Sequence, residues 1–332
     1  MTVVCEDTRK NGYPLRIGIV CDKLWFSWPS RDLSLLTESF TVSAPIYAPH
    51  LLEVGVHSPA LIVLSRRAPL VSHWRNFMIK REPYWKTGQS FTLMVEGLEV
   101  STIFPFDKNQ KFKGELRSQV TDNKNILLET VKNQETLKDI NDIIARPLDQ
   151  KHETKKITAE FVQLDLKHEK SNLLGHINFN SFDFSALVSS HFVDFPKIDG
   201  SLKWILRDVP HSFDIKNKSV RSLKRNLYGK SGILKFGKIA FHTGGVLHIS
   251  GPFSFDDKGY LTAKLKLTFS QTAELLSNLQ RLFPEQANNL QALFFILGAV
   301  PKNADGQPSL SLKITHGWVK LEFFTLGRLA PL

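Results

Sequence analysis

Cys5 and Cys21 are the only two cysteines in 332 residues, and they flank Gly12-Tyr13-Pro14-Leu15-Arg16. Two thiols at that spacing can close a loop of about 17 residues, which in an oxidising compartment adds roughly 3 kcal/mol by restricting the unfolded chain. The alternative is a pair of small buried side chains in a reduced cytosolic protein. Gly229-Lys230-Ser231 ends like a phosphate-binding P-loop, but the first glycine of that motif falls at Lys224, so the backbone cradle cannot form and a basic turn explains it better. His242-Thr243-Gly244-Gly245 faintly echoes the oxyanion loop of esterases, yet no Gly-x-Ser-x-Gly elbow follows it. Asp256 and Asp257 are adjacent carboxylates, but acid–base work needs partners converging across a cleft, and these sit in a hairpin-turn pattern ending at Gly259. His242 and His248 would share a face only if one strand ran through Gly244-Gly245, and no histidine spacing matches a zinc site. These residues predict a non-enzymatic protein with no catalytic, cofactor-binding or metal-binding set.

Composition sets the frame in which the pair of cysteines must work. The chain is 42% hydrophobic and carries 24 Phe against 5 Tyr and 3 Met, enough for a substantial core with many Phe in alternating, sheet-like stretches. A formal net charge of +11 suits phosphate, whether of nucleic acid or of anionic lipid. The basic residues are dispersed, however, with the densest run at Arg221, Lys224, Arg225 and Lys230, so a solvated basic surface is the plainer reading and no nucleic-acid partner is expected. No run of about 18 apolar residues occurs, and Thr2 to Arg9 lacks the basic start and apolar stretch of a signal peptide.

Strand signals dominate the pass along the chain. Leu15, Ile17 and Ile19 alternate with polar or small neighbours, and Leu24-Trp25-Phe26-Ser27-Trp28 follows an expected turn at Asp22-Lys23. Trp25 and Trp28 read as packing residues beside a strand, with an interfacial role as the alternative. Further strands are predicted at 40–43, 51–56, 61–64, 91–95, 98–102 and 158–167. The polar stretch 122–170 carries one amphipathic helix near 134–145, ending before Pro147. Ser181 to Phe195 reads equally as strand or helical turn. Strands at 232–241, 246–250, 251–255 and 261–269 follow, the last two joined by a hairpin at Asp256-Asp257-Lys258-Gly259. Ser270 is the expected N-cap of a helix carrying Leu275, Leu276, Leu279 and Leu282; a second helix starts at Pro284 and stops at Gly298. Strands at 309–315 and 318–324 close the chain across His316-Gly317. The fold class is α+β and β-dominated: an elongated, curved antiparallel sheet with a few helices packed on it, in a single domain over 1–332 with a variable polar segment at about 107–170.

Asn11-Gly12-Tyr13-Pro14-Leu15-Arg16-Ile17 followed by Cys21-Asp22 resembles the opening of the alphaproteobacterial "domain of unknown function 2125" proteins, with Leu15 in place of the usual Phe. Ile249-Ser250-Gly251-Pro252-Phe253-Ser254-Phe255 and the closing run from Trp318 through Gly327-Arg328 to Pro331-Leu332 look like the same family. Gly12, Tyr13, Pro14, Arg16, Gly251, Gly327 and Arg328 carry that likeness as structural positions. The resemblance implies a periplasmic protein held to the inner membrane by a helix ahead of the first cysteine, an anchor absent from this chain, and it supports reading Cys5 and Cys21 as a disulfide. It brings no activity and no catalytic residue. A looser likeness, from Gly245 to Leu279, is to AsmA-like envelope proteins, whose long curved sheets present an apolar trough to lipids. The expected function is lipid binding or handling on a curved apolar sheet, and the alternative is a scaffold that binds another envelope protein through a sheet face or edge. Membrane lipid or an envelope protein is the expected partner, with no cofactor and no small-molecule substrate.

Overall fold

Where apolar and polar residues alternate with period two, an extended chain puts one set on each face and can bury the apolar set by pairing into a sheet with one covered side. A computed structural model describes residues 2–28, 33–64, 70–82, 90–102, 156–185, 196–209, 227–282, 287–300, 302, 306–321 and 324–331. Among these, 16 strands form one antiparallel sheet, the β-dominated architecture expected. The amino-terminal strands are β1 (Thr2–Asn11), β2 (Arg16–Trp28), β3 (Leu33–Pro45), β4 (Leu52–Leu64), β5 (Leu70–His73), β6 (Asn76–Glu82) and β7 (Ser90–Thr102). The middle is β8 (Lys156–Glu169), β9 (Asn172–Phe182), β10 (Ile198–Leu206) and β11 (Ser231–Phe241). β12 (Val246–Phe255), β13 (Leu261–Ser270), β14 (Ser309–Thr315), β15 (Trp318–Leu321) and β16 (Phe324–Arg328) complete it.

Strand order follows chain order, except that β5 and β6 share one lane between β4 and β7. Breaks in the pairing line up across the first ten strands. The ladder passes over Glu6 between β1 and β2, over Lys23 and Glu38 between β2 and β3, and shifts at Ser58-Pro59 on β4. It continues at Trp74-Arg75 between β5 and β6, at Gly97 and Glu160 between β7 and β8, and near Asp199 on β10. Such irregularities bend strands and raise local twist. Their polar groups are met: Lys23 pairs with Glu6 at 3.3 Å, and the Trp74 indole donates to the Val56 carbonyl at 2.7 Å.

Several local expectations change. The turn expected at Asp22-Lys23 is absent; β2 runs through it, with Lys23 in the left-handed region at φ 52°, because continuous pairing to β3 on both sides holds the chain extended. The runs 246–250 and 251–255 are one strand, with Gly251 at φ 145° inside it. The run 318–324 splits into β15 and the start of β16, and β9 and β10 fall where no strand was predicted. His316 and Gly317, both at positive φ, make the expected tight turn between β14 and β15. The helix expected at 134–145, residues 186–195 and the helix start at Pro284 lie outside the described residues.

Two helices, α1 (Thr272–Leu282) and α2 (Ala287–Ala299), interrupt the adjacent pair β13–β14 and fold back onto one face. The cap of α1 is Gln271 rather than Ser270: the Gln271 carbonyl accepts the first helical bond from Leu275 at 3.0 Å, while Ser270 still belongs to β13. Leu275 and Leu297 pack with Leu267, Phe269, Leu310 and Leu321 in the larger core cluster. A smaller cluster of Leu36, Leu61 and Val71, with Trp25 against it, lies on the other side of the line of breaks.

Cys5 and Cys21 are joined, with 5.7 Å between Cα atoms. Alkylation of protein extracted without reductant is expected to label neither thiol. Reduction is expected to lower the unfolding free energy by about 3 kcal/mol or less, read from denaturant midpoints; two thiols labelled at once in the unreduced sample would contradict the pairing.

Candidate functional site

Antiparallel partners share a face, so the register sorts side chains into ranks that cross the sheet. One rank starts at Ile19 on β2 and passes through Val42, Val54, Ile79 and Leu93. It goes on through Leu164, Ile177, Leu202, Gly237, Ile249, Leu267 and Leu310. A parallel rank runs Phe77, Val95, Val162, Phe179, Gly200, Ile239, Leu247 and Phe269. Both lie on one face, and neither contains a charge.

Coverage of this face is uneven. A helix is about 10 Å across and strands lie about 4.8 Å apart, so two helices side by side cover about four strands. α1 and α2 do so over β12 to β15, where Leu267, Phe269 and Leu310 are buried. Over β3 to β10 the first rank is half-buried, with Val42, Val54, Ile79, Leu93, Leu164, Ile177 and Leu202 all retaining solvent contact, while in the second rank Val95 is buried. Polar Thr92, Asp165 and His176 on the opposite face are half-buried as well. Large rings lie flat across the apolar floor where glycine leaves room. A Cβ on Gly175 would meet the Trp204 indole at 2.1 Å, and one on Gly200 would meet the Phe179 ring at 2.1 Å.

The opposite face carries a polar rank, Ser43, Glu53, Lys80, Thr92, Asp165, His176 and Lys203. Glu53 is bridged by Arg16 and by Lys80, the latter at 3.4 Å. Asp165 accepts from Thr92 at 2.8 Å and from Gln163 at 2.7 Å. Beside the edge of this rank a shallow cavity of about 270 Å³ is lined by Arg16, Glu53, His57 and Met78 among others. The rank is a chain of satisfied surface pairs, and among the described residues no group of three or more His, Cys, Asp or Glu is placed to hold a metal.

The motifs singled out earlier have structural jobs. The turn His242-Thr243-Gly244-Gly245 docks α1: the Asn278 amide donates to the Gly244 carbonyl at 2.8 Å, and Gln271 accepts from the Gly245 amide at 2.9 Å. His242 sits in that turn and His248 in β12, so no single strand carries both. His242 pairs with Asp199 at 3.0 Å. Partial burial pushes the Asp199 carboxyl up, but the Ser181 amide, the His242 ring and Lys238 outweigh it and hold it below the usual range. Asp256 accepts from the Lys258 and Tyr260 amides; its His316 partner and those amides hold its carboxyl low, as a turn carboxylate rather than an acid–base pair with Asp257. Lys230 stands just ahead of β11, while Arg221, Lys224 and Arg225 lie outside the described residues.

Of the family-like positions, Gly12 and Arg16 close the first hairpin, with the Arg16 amide donating to the Gly12 carbonyl at 2.6 Å. Tyr13 stands almost fully exposed beside Pro14. Arg328 lies over the rings of Tyr260, at 4.7 Å, and Trp318, at 5.5 Å. The structure gathers Gly12 to Arg16 at one corner and leaves Gly251, Gly327 and Arg328 at the other end of the sheet. Sequence reasoning missed the apolar ranks of the middle strands, although Val162, Leu164 and Leu166 alternate on β8 and signal them.

Fold and face together define an antiparallel β-sheet protein, stapled at its first hairpin and, among the described residues, covered by helices on one face near its far end. The chain belongs to the family described as "Uncharacterized protein conserved in bacteria (DUF2125)", whose profile matches residues 1–103 and 139–330. No curated protein and no solved structure matches it. Among the described residues no helix is long and apolar enough to cross a membrane.

Two tests follow from local geometry. A Cβ on Gly251 would lie 2.1 Å from the Lys264 carbonyl, whereas one on Gly327, at a similar φ of 146°, meets nothing within 4 Å. Gly251→Ala is therefore expected to cost more than about 2 kcal/mol and Gly327→Ala only its backbone strain, about 1 kcal/mol, in urea titrations. Burial first, and then Lys238, pushes the His248 imidazole below its usual range. The unfolded chain then takes up this proton before the folded one, so stability falls as pH drops through the ordinary imidazole range. His248→Gln is expected to flatten that part of the melting temperature–pH profile.

Proposed function

We propose that this is a non-enzymatic, periplasmic envelope protein, associated with the inner membrane, that binds lipid acyl chains on its open apolar face. The observation that carries the reading is the half-buried state of Val42, Val54, Ile79, Leu93, Leu164, Ile177 and Leu202, one apolar rank across β3 to β10. A surface this apolar gains about 0.8 kcal/mol for each methylene it removes from water, and large exposed apolar areas on soluble domains serve as binding surfaces. The Cys5–Cys21 disulfide supports an oxidising compartment. The excess of Lys and Arg favours anionic headgroups over neutral ones.

The scaffold alternative would use a face or the free edge of β1. That edge is nearly all exposed, but it presents Glu6, Asp7, Arg9 and Lys10, charges of the kind that discourage strand addition. The lipid reading is therefore preferred.

Purification of the full chain in mild detergent, followed by native mass spectrometry, is expected to show bound phospholipid. Ile177→Asp with Leu164→Asp, directly paired on the open face, should remove it while the protein still melts cooperatively. Asn178→Asp, on the opposite face, should leave it in place. A folded wild-type protein free of lipid under these conditions would overturn the proposal.

A further inference from the structure

The exposed large apolar side chains are not scattered evenly: most belong to β1–β4 and their turns, and the densest group is one corner. Tyr13 is 90% exposed and Leu15 74% in the β1–β2 loop; Tyr47 is 85% and Ile46 46% in the β3–β4 turn. Side chains left in water at that level contribute nothing to the core. The two turns are tied together by the Ile46 amide, which donates to the Leu15 carbonyl at 3.1 Å, and by Arg16, whose guanidinium reaches Ser43 at 3.2 Å and bridges Glu53. Tyr13, Leu15, Ile46 and Tyr47 are thus presented as one unit.

The corner is continuous with the open face. Ile17, at 66% exposure, and Ile19, at 51%, follow Leu15 on the same side of β2, and Ile19 begins the apolar rank described above. Exposure along that rank falls from Ile19 to half-burial at Val42 and Val54 and to burial at Leu267 beneath the helices. The apolar face is capped at one end and opens at the other into this corner.

We infer that the corner is a docking tip for an anionic phospholipid bilayer, through which the apolar face communicates with membrane hydrocarbon. The partner follows from chemistry. Tyrosine beside aliphatic side chains is the composition that settles at a membrane interface, the ring in the headgroup zone and its hydroxyl in water. The exposed cations Lys10 and Arg81 flank the tip, and Arg16 and Lys80 share the carboxylate of Glu53; against these four cations stand Glu53 and the exposed Glu82 beside Arg81, so the surroundings are net basic and complement anionic headgroups. A fluid bilayer accepts such projecting side chains without a matching pocket, which a protein partner would have to supply. The inference rests on the lipid reading for the class of partner and extends it with a place of contact.

The test is flotation of the full-length protein with vesicles of phosphatidylglycerol and phosphatidylethanolamine, compared with phosphatidylcholine alone. The wild type is expected to float with the first and far less with the second. The triple variant Tyr13→Ser, Leu15→Ser, Tyr47→Ser should keep its circular dichroism and melting temperature, since these side chains are exposed, and should lose vesicle binding by about tenfold or more. Leu15→Trp should bind and be quenched by brominated acyl chains. A wild type that stays with neither vesicle, a triple variant that binds like the wild type, or a dimer that the triple variant converts to monomer with no change in flotation would each overturn the inference. Lipid content of the same preparations separates the two proposals. Bound phospholipid retained by a triple variant that no longer floats supports docking at the tip as distinct from cargo binding. A wild type that floats but carries no phospholipid leaves the tip standing and removes the cargo reading alone.

Discussion

Backbone hydrogen bonding between sequence neighbours, repeated without a crossover from β1 to β16, is the constraint on which the rest of this protein depends. Because every strand pairs with its sequence neighbour, except β5 and β6, which each bridge β4 and β7, a residue's face is inherited across the sheet, and a one-residue slip anywhere would turn apolar side chains to the polar side. The breaks at Lys23, Ser58-Pro59, Trp74-Arg75 and Gly97 are tolerated because they fall in line. On β4 the extra residue at the break keeps Leu61 on the side of Leu36 and Val71, so the small core beyond the breaks is preserved. The indole of Trp74, donating to the Val56 carbonyl, satisfies an acceptor that the interrupted ladder would leave unpaired.

Coverage explains why one protein contains both a sealed core and an open face. The helical segment inserted between β13 and β14 has the width to cover only the strands around its own insertion point. Small residues permit the close approach: a Cβ on Gly245 would sit 2.7 Å from the Leu275 backbone, so glycine there is what lets α1 lie down on the turn ahead of β12. On the middle strands the same apolar alternation continues with less cover, and flat rings over Gly175 and Gly200 fill the floor rather than a second layer. The polar face is finished by short-range pairs, among them Glu53 with Lys80 and Asp165 with Thr92, which hold its charges in place.

Much of this was legible locally. The strand at 261–269, the Asp256–Gly259 hairpin and the His316-Gly317 turn appear in the structure as read. Misreadings share a cause. Lys23 and Gly251 look like punctuation, but pairing on both sides keeps their strands continuous. Ser270 is a good capping residue, yet the ladder with Val246 keeps it in β13 and passes the cap to Gln271. In each case tertiary pairing overrode a local preference worth about 1 kcal/mol.

The sequence by itself determined the strand period, the tight turns and the two thiols available for a staple, because each depends on a few neighbouring residues and their φ preferences. Only the tertiary structure decided that Ile19, Val42, Val54, Ile79 and their partners fall into one rank. It also decided that, among the described residues, the helices cover only one end of that rank, and that the turns carrying Tyr13 and Tyr47 are joined at one corner. Register and coverage join residues far apart in the chain, and no local pattern encodes which part of an apolar face the helices will cover.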